Sequence, residues 1–541
     1  MALQFDYYQL PFCAPNHVVD LPENLGEALA GEKAHTSAYL ANMKVNEYCK
    51  TLCRKKYSPQ QMEEFQDFTI LDYRVNMRLD NLPIAEMNLF AYEDKPQETV
   101  QIYNLGYPVG SKVSEKDAAE SGSADSYQIN NHLRFKILYH PVDSDENSDP
   151  TVPNRGNYIV GYQVVPFSIK HTFRGKWNES AIPYNVLTTC ARAPMPTGFF
   201  EAHEPMILDP KDGGEIIFTY DIEWERSDVK WASRWDVYLQ LSQVTDDKIH
   251  WFSIVNSLVI LIFLSGIVAL IMTRILRKDF ARYNEVAATE EERAEAAKEM
   301  REETGWKLVY GDVFRSPPFP HLLSVYAGTG AQLLVMTIFT LLFATLGFLS
   351  PANRGALLSS ILLFYVIMGV PAGYIAARFC KLLREPNHFN TTILTGTLFP
   401  GVCFVMFFVL NLIAWIRQSS TAVPFGTLVI LMLLWFGVSL PLIFLGAYLG
   451  FRKDPISIPV KTNPIPRQIP PQVWYLQLPV AIVIGGLLPF GAVFVEMFFI
   501  LSSIWQHRFY YMFGFLALVF FILLLTCAEI AIVLCYLHLC A

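Results

Sequence analysis

Seven long stretches with almost no charge lie at 252–272, 322–348, 355–377, 391–416, 421–450, 478–504 and 509–539, and none lies upstream of about residue 250. A hydrocarbon core of about 30 Å needs about 20 apolar residues at 1.5 Å rise per residue, and every stretch reaches that length. The expected fold is a multi-span α-helical membrane protein: residues 251–541 form a seven-span bundle whose solvent is membrane lipid, and residues 1–250 form a folded head. The averages of 52% hydrophobic and 17% charged over 541 residues blend a mixed first half with an apolar second half. A net charge of -8 offers no basic surface for nucleic acid, which excludes that partner.

Arg274, Arg277, Lys278 and Arg282 follow the first stretch, Arg378, Lys381 and Arg384 the third, and Arg452, Lys453, Lys461 and Arg467 the fifth. The alternate loops carry only Arg354, Arg417 and Arg508. Positive flanks stay on the cytoplasmic side, so loops 273–321, 378–390 and 451–477 are assigned there and the head to the lumen or exterior. Residues 1–15 hold no signal-peptide pattern, so a truncated N-terminus is expected for a head that has to cross. Cys13, Cys49, Cys53 and Cys190 form an even set of disulfide candidates in that oxidising space, with three pairings open. Cys49 and Cys53 lack a second ligand pair nearby, so no metal is expected. The sequon Asn178-Glu179-Ser180 makes Asn178 a glycosylation candidate, whereas modification of Asn390 at a cytoplasmic membrane edge would contradict this topology.

The head reads as mainly β and sandwich-like. Over 215–225, Ile216, Phe218, Tyr220, Ile222 and Trp224 fall on one face of a strand and Glu215, Thr219, Asp221, Glu223 and Glu225 on the other. Residues 134–140 and 158–171 are further strand candidates around the acidic loop 143–156, and an antiparallel sandwich is the economical arrangement. In the first cytoplasmic loop, 290–303 is rich in Glu, Ala, Lys and Arg and predicts a solvated helix, with docking of coat proteins as the alternative role. Six prolines in 454–472 predict an extended connector.

Charge inside the stretches is rare, which singles out Glu496 and Glu529 as intramembrane polar residues. Helical rise places Glu496 about 12 Å and Glu529 about 30 Å from the lumenal ends of their helices, too far apart to share a proton. Partners at matching depth are Asn411 for Glu496, and Gln332 with Thr329 for Glu529. Small residues recur at four-residue spacing: Gly369, Gly373 and Ala377 on the third stretch, Gly446 and Gly450 on the fifth. Such faces let backbones approach closely in lipid, either within the bundle or against the membrane helix of a client. Pro371, Pro400, Pro441, Pro479 and Pro489 interrupt helix positions and free carbonyls. No Gly-rich phosphate loop, His-Glu-x-x-His pair or Gly-x-Ser-x-Gly elbow occurs, so neither an enzyme nor a cofactor is expected.

Several strings carry a resemblance. They include Tyr7-Tyr8-Gln9-Leu10-Pro11-Phe12-Cys13, Asp80-Asn81-Leu82-Pro83, Trp231-Ala232-Ser233-Arg234-Trp235-Asp236, Gly311-Asp312-Val313-Phe314-Arg315, Pro464-Ile465-Pro466-Arg467-Gln468-Ile469-Pro470 and Cys527-Ala528-Glu529-Ile530. Scattered over nearly the whole chain, they resemble the nonaspanins, the transmembrane 9 superfamily. That resemblance implies a large lumenal amino-terminal domain, nine spans, and residence in Golgi and endosomal membranes. It also implies sorting factors that bind glycine-rich membrane helices of client proteins, with links to adhesion. Family chains begin with a cleaved signal and continue through two more spans, so this sequence reads as a fragment of the pattern. The expected function is therefore a membrane sorting or escort protein, with client contacts at Gly369, Gly373, Ala377, Gly446 and Gly450. The alternative is a proton- or metal-coupled transporter working through Glu496 or Glu529.

Overall fold

A computed structural model describes residues 4–92, 95–113, 126–141, 156–173, 177, 187–235, 247–285, 311–349, 353–460, 462, 465, 474, 477–505 and 513–540. Asn178, the helix expected at 290–303, nearly all of the acidic loop and most of 461–476 lie outside the described residues. The chain divides into two compact units: Met1–Val244 with Pro351–Gly355 and Asn411–Val423, and Thr245–Ser350 with Ala356–Leu410 and Pro424–Ala541.

The first unit is built on six strands: β1 Glu47–Tyr57, β2 Ala85–Tyr92, β3 Lys95–Leu105, β4 His132–Pro141, β5 Asn157–Phe167 and β6 Gly214–Arg226. Their order in space is β1-β6-β4-β5-β2-β3. β4 runs parallel to β6 and β5 parallel to β2, while the remaining pairs are antiparallel. The antiparallel sandwich expected from sequence is thus corrected to one mixed sheet accompanied by short two-stranded ladders. Alternation has a period of two in either pairing, so the pattern identified strands without fixing their direction.

β6 bears out its alternation. Ile216, Phe218, Tyr220 and Ile222 are buried in the main core, with Trp224 packed against it. α1 spans Leu25–Ala30, and α2, Pro59–Ile70, adds Met62 and Phe65 to the core. Ser58 starts α2 by accepting from the Gln61 amide while Gln61 answers to the Ser58 amide, with Pro59 in the first turn where no donor is needed. Burying each such large apolar side chain contributes about 1.5–3 kcal/mol. The opposite face of β6 is covered too: Phe167, Ile169, Leu187, Phe200 and Ile217 form a second cluster with Cys49 and Cys190. The open cysteine pairing resolves to Cys13–Cys53 and Cys49–Cys190. Within this unit Arg354 pairs with Glu27 at 3.1 Å and with Glu32, and Ser420 donates its amide to the Gln4 carbonyl at 3.0 Å.

Among the described residues the second unit holds seven helices long and apolar enough to cross a membrane: Ile254–Lys278, Pro320–Thr345, Ala356–Leu382, His388–Ile416, Phe425–Arg452, Pro479–Phe498 and Phe513–Leu539. Proline decides their irregularities. The third span breaks at Met368, because Pro371 cannot donate to the carbonyl one turn back. Pro441 does the same in the fifth, which passes through a π-helical turn at Trp435–Ser439. Pro400 lies inside the continuous fourth helix, and the Gly396 carbonyl it frees accepts the Trp435 indole N–H at 2.8 Å. Pro489 likewise sits within an unbroken helix.

Candidate functional site

The small-residue faces of the third and fifth spans are turned onto each other. A Cβ on Gly373 would stand 2.0 Å from the Ile443 carbonyl oxygen, and one on Gly446 2.0 Å from that of Val370. Gly450 faces the Ala377 methyl, 2.7 Å from a built Cβ, and Gly369 faces Ile443. From the second span, a Cβ on Gly328 would stand 2.7 Å from the Ala372 carbonyl oxygen of the third. The assignment of Gly369, Gly373, Ala377, Gly446 and Gly450 to a client helix is therefore corrected: they form an internal seam. In lipid, removal of surface from water drives nothing, so two faces without side chains gain most by packing backbone against backbone.

The two acids are held by the first span. The Ser257 hydroxyl lies 2.5 Å from Glu496 Oε1 and 2.6 Å from the Ala492 carbonyl oxygen, all buried. A hydroxyl owns one hydrogen. Ser257 therefore shares that one hydrogen between the Ala492 carbonyl and the Glu496 carboxyl, tying the first span to the sixth at both. Ser265, about 12 Å further along the first span by helical rise, donates to Glu529 Oε1. Glu529 Oε2 is buried without a hydrogen-bond partner among the described residues.

The partners expected from depth are corrected accordingly. Asn411 accepts from the Val423 amide at 2.7 Å and donates to the Val423 carbonyl at 3.4 Å, closing the loop after its own helix. Gln332 donates to the Tyr365 carbonyl at 2.7 Å and leaves Oε1 unpartnered, as is Thr329 Oγ1. Depth along a helix fixes a level and says nothing of azimuth, which is why serines of the first span went unnoticed. Among the described residues no group of three or more His, Cys, Asp or Glu is placed to hold a metal ion.

The sequence pattern of the family described as Endomembrane protein 70 matches residues 4–541. Over its whole length the chain is 48% identical to transmembrane 9 superfamily member 10 of Arabidopsis thaliana, covering 79% of that protein. It is 42% identical to member 2 of Homo sapiens, covering 77%, and 40% identical to human member 4, covering 79%. The chain belongs to the transmembrane 9 superfamily. No solved structure matches it.

In this superfamily chain the residues that sequence reasoning passed over lie in the first unit, on the covered face of β4 and β6. The Thr219 hydroxyl bridges His132 Nδ1 at 2.7 Å and His171 Nε2 at 2.8 Å, and His171 Nδ1 reaches the Thr189 hydroxyl at 2.7 Å. Asp221 Oδ2 lies 3.4 Å from His132 Nε2 and 3.3 Å from Arg134 Nε, and its Oδ1 accepts the Cys49 amide at 2.7 Å. Cys49 sits at φ 50 in a bulge of β1, so that one hydrogen bond and its disulfide hold a left-handed residue in place. Burial forces the His171 imidazole down to about 3, with the neighbouring His132 and His203 adding to the effect. Burial works to raise the Asp221 carboxyl, but His132, the Cys49 amide and Arg134 outweigh it and hold the group below the usual carboxylate range. The available signal was positional: 132, 134, 219 and 221 are polar at alternate positions on two strands, more polar groups than a solvated face needs.

Proposed function

We propose that this chain is an escort protein that sorts client membrane proteins through Golgi and endosomal membranes, with a role in adhesion, and that residues 1–244 are lumenal. The observation that carries this reading is the outward face of the fifth span. Gly437 in the π-helical turn is exposed, and nothing lies within 4 Å of where its Cβ would stand. Pro441 withholds the donor that the Gly437 carbonyl would find in an α-helix. Bare backbone facing lipid suits a glycine-rich client helix, whose own backbone can come close. The sealed seam on the opposite side of the same span uses the same kind of packing.

The lumenal placement is supported by the arginine and lysine flanks, by two disulfides in the first unit, and by the loops 351–355 and 411–423 belonging to that unit. The family description supports an endomembrane location. Gly437→Leu tests the reading, because the added side chain meets open space and the bundle should stay folded. Recovery of a single-span reporter with a glycine-rich membrane helix should fall, together with its delivery to the surface. Unchanged recovery would sink the proposal.

The unpartnered Glu529 Oε2 favours a second reading, proton- or metal-coupled transport. Under the escort reading Glu496→Gln and Glu529→Gln leave ion flux in reconstituted vesicles unchanged. Flux that the wild-type chain supports and either variant abolishes would put the transporter in its place.

A further inference from the structure

We infer that the ends of the third and fifth spans hold the headgroup of an anionic phospholipid, bound in a cavity of about 570 Å³. Lys381 and Arg384, at the end of the third span, supply two cations to its wall. Leu382, Ile456, Ile458 and Val460 supply an apolar lining, and among the described residues no acidic side chain lines it. Positive charge beside an apolar wall, at the level where spans meet a leaflet, matches a phosphate with the glycerol and first methylenes of its chains.

Lys381 is already aimed. Its ammonium donates to the carbonyls of Phe451 and, at 2.7 Å, Lys453, fixing it at the last turn of the fifth span with one hydrogen to spare. The Arg384 side chain has neither a hydrogen-bond nor an ion-pair partner among the described residues, and it is exposed. Its backbone gives a second, independent sign. The Glu385 amide donates to the Cys380 carbonyl at 3.0 Å and the Arg384 amide to that of Lys381 at 3.3 Å, a helix ending that puts Arg384 at φ 56. That conformation favours glycine. An arginine in a left-handed position that favours glycine, at the wall of a cavity and with its guanidinium unpaired among the described residues, points to a ligand for that guanidinium.

The inference needs neither a client nor a lumenal head, so it stands or falls apart from the escort reading. The full chain, purified in neutral detergent, is titrated with dioctanoyl phosphatidic acid, dioctanoyl phosphatidylcholine and glycerol 3-phosphate while its melting temperature is followed. Phosphatidic acid should raise the melting temperature saturably and phosphatidylcholine should not. Glycerol 3-phosphate, the same phosphate without chains, should need at least about tenfold more ligand for an equal shift, because the apolar wall is idle. Arg384→Gly relieves the left-handed backbone, so it should fold at least as well while losing about tenfold in apparent affinity, one charge-assisted contact. Arg384→Gln and Arg384→Lys share the wild-type backbone penalty: the first should bind like the glycine variant and the second close to wild type. Equal shifts from phosphatidylcholine, or unaltered titration of both Arg384→Gly and Arg384→Gln, would overturn the site. Glycerol 3-phosphate acting at the lipid's own concentration would overturn the lipid as its source.

Discussion

The third and fifth spans meet through the absence of side chains, whereas the first span meets the sixth and seventh through single hydroxyl-to-carboxyl contacts. Both arrangements answer the same problem, that lipid gives apolar helices no reason to leave it for one another. The seam spends no polar group and depends wholly on shape. The ties use a serine and a glutamate each, tolerate looser packing, and depend on one hydrogen bond being made. One contact is therefore sensitive to a methyl group and blind to chemistry, and the other is the reverse.

The sharpest way to break that contrast is Gly373→Leu. With the Ile443 carbonyl oxygen 2.0 Å from a bare Cβ, the spans must separate, and a cost of at least about 3 kcal/mol is expected. Size-exclusion profile and melting temperature read it, and a monodisperse variant of wild-type stability would show that the seam does not hold the bundle. Acid provides the next largest effect: it should spare the seam, which holds no titratable group, while weakening the first unit. His171 is held neutral in the fold with its proton affinity depressed to about 3, against about 6.5 when unfolded. The unfolded state thus binds more protons, and stability present above about 6.5 is lost progressively as pH falls toward 3. From pH 7 to 5 the loss is about 2 kcal/mol, read as faster amide exchange along β6. His171→Asn should flatten that dependence, and equal acid sensitivity in the variant would remove His171 from the account.

Ser257→Ala strips Glu496 of its donor in a buried position and should cost about 1–2 kcal/mol, while Glu496→Gln, whose amide oxygen still accepts, should cost less than about 0.5. A Gln variant as unstable as the Ala variant would mean that shape, not hydrogen bonding, governs this contact too. Of the two serine deletions Ser265→Ala has the smaller effect, about 0.6 kcal/mol, since Glu529 is less enclosed than Glu496.

Span existence was legible because twenty apolar residues have few other uses, and β6 was legible because Ile216, Phe218, Tyr220 and Ile222 keep strict alternation. Gly373 and Gly446 were legible as close-approach positions, but not as each other's partners, since spacing describes one helix at a time. Glu496 and Glu529 stood out by charge alone. Their serines did not, because Ser257 and Ser265 are unremarked in an apolar stretch until azimuth is known. Parallel pairing of β4 with β6 brought His132 beside Thr219 and Arg134 beside Asp221, a long-range register that no local pattern encodes.

Gly396 waits for a donor that arrives from Trp435, separated from it by 39 positions. At ribosomal speeds of about 5–20 residues per second, roughly 2–8 s pass between the synthesis of the two. Through that interval the nascent fourth helix carries a naked acceptor into hydrocarbon. The fourth helix consequently completes its backbone hydrogen bonding only once its neighbour has emerged beside it.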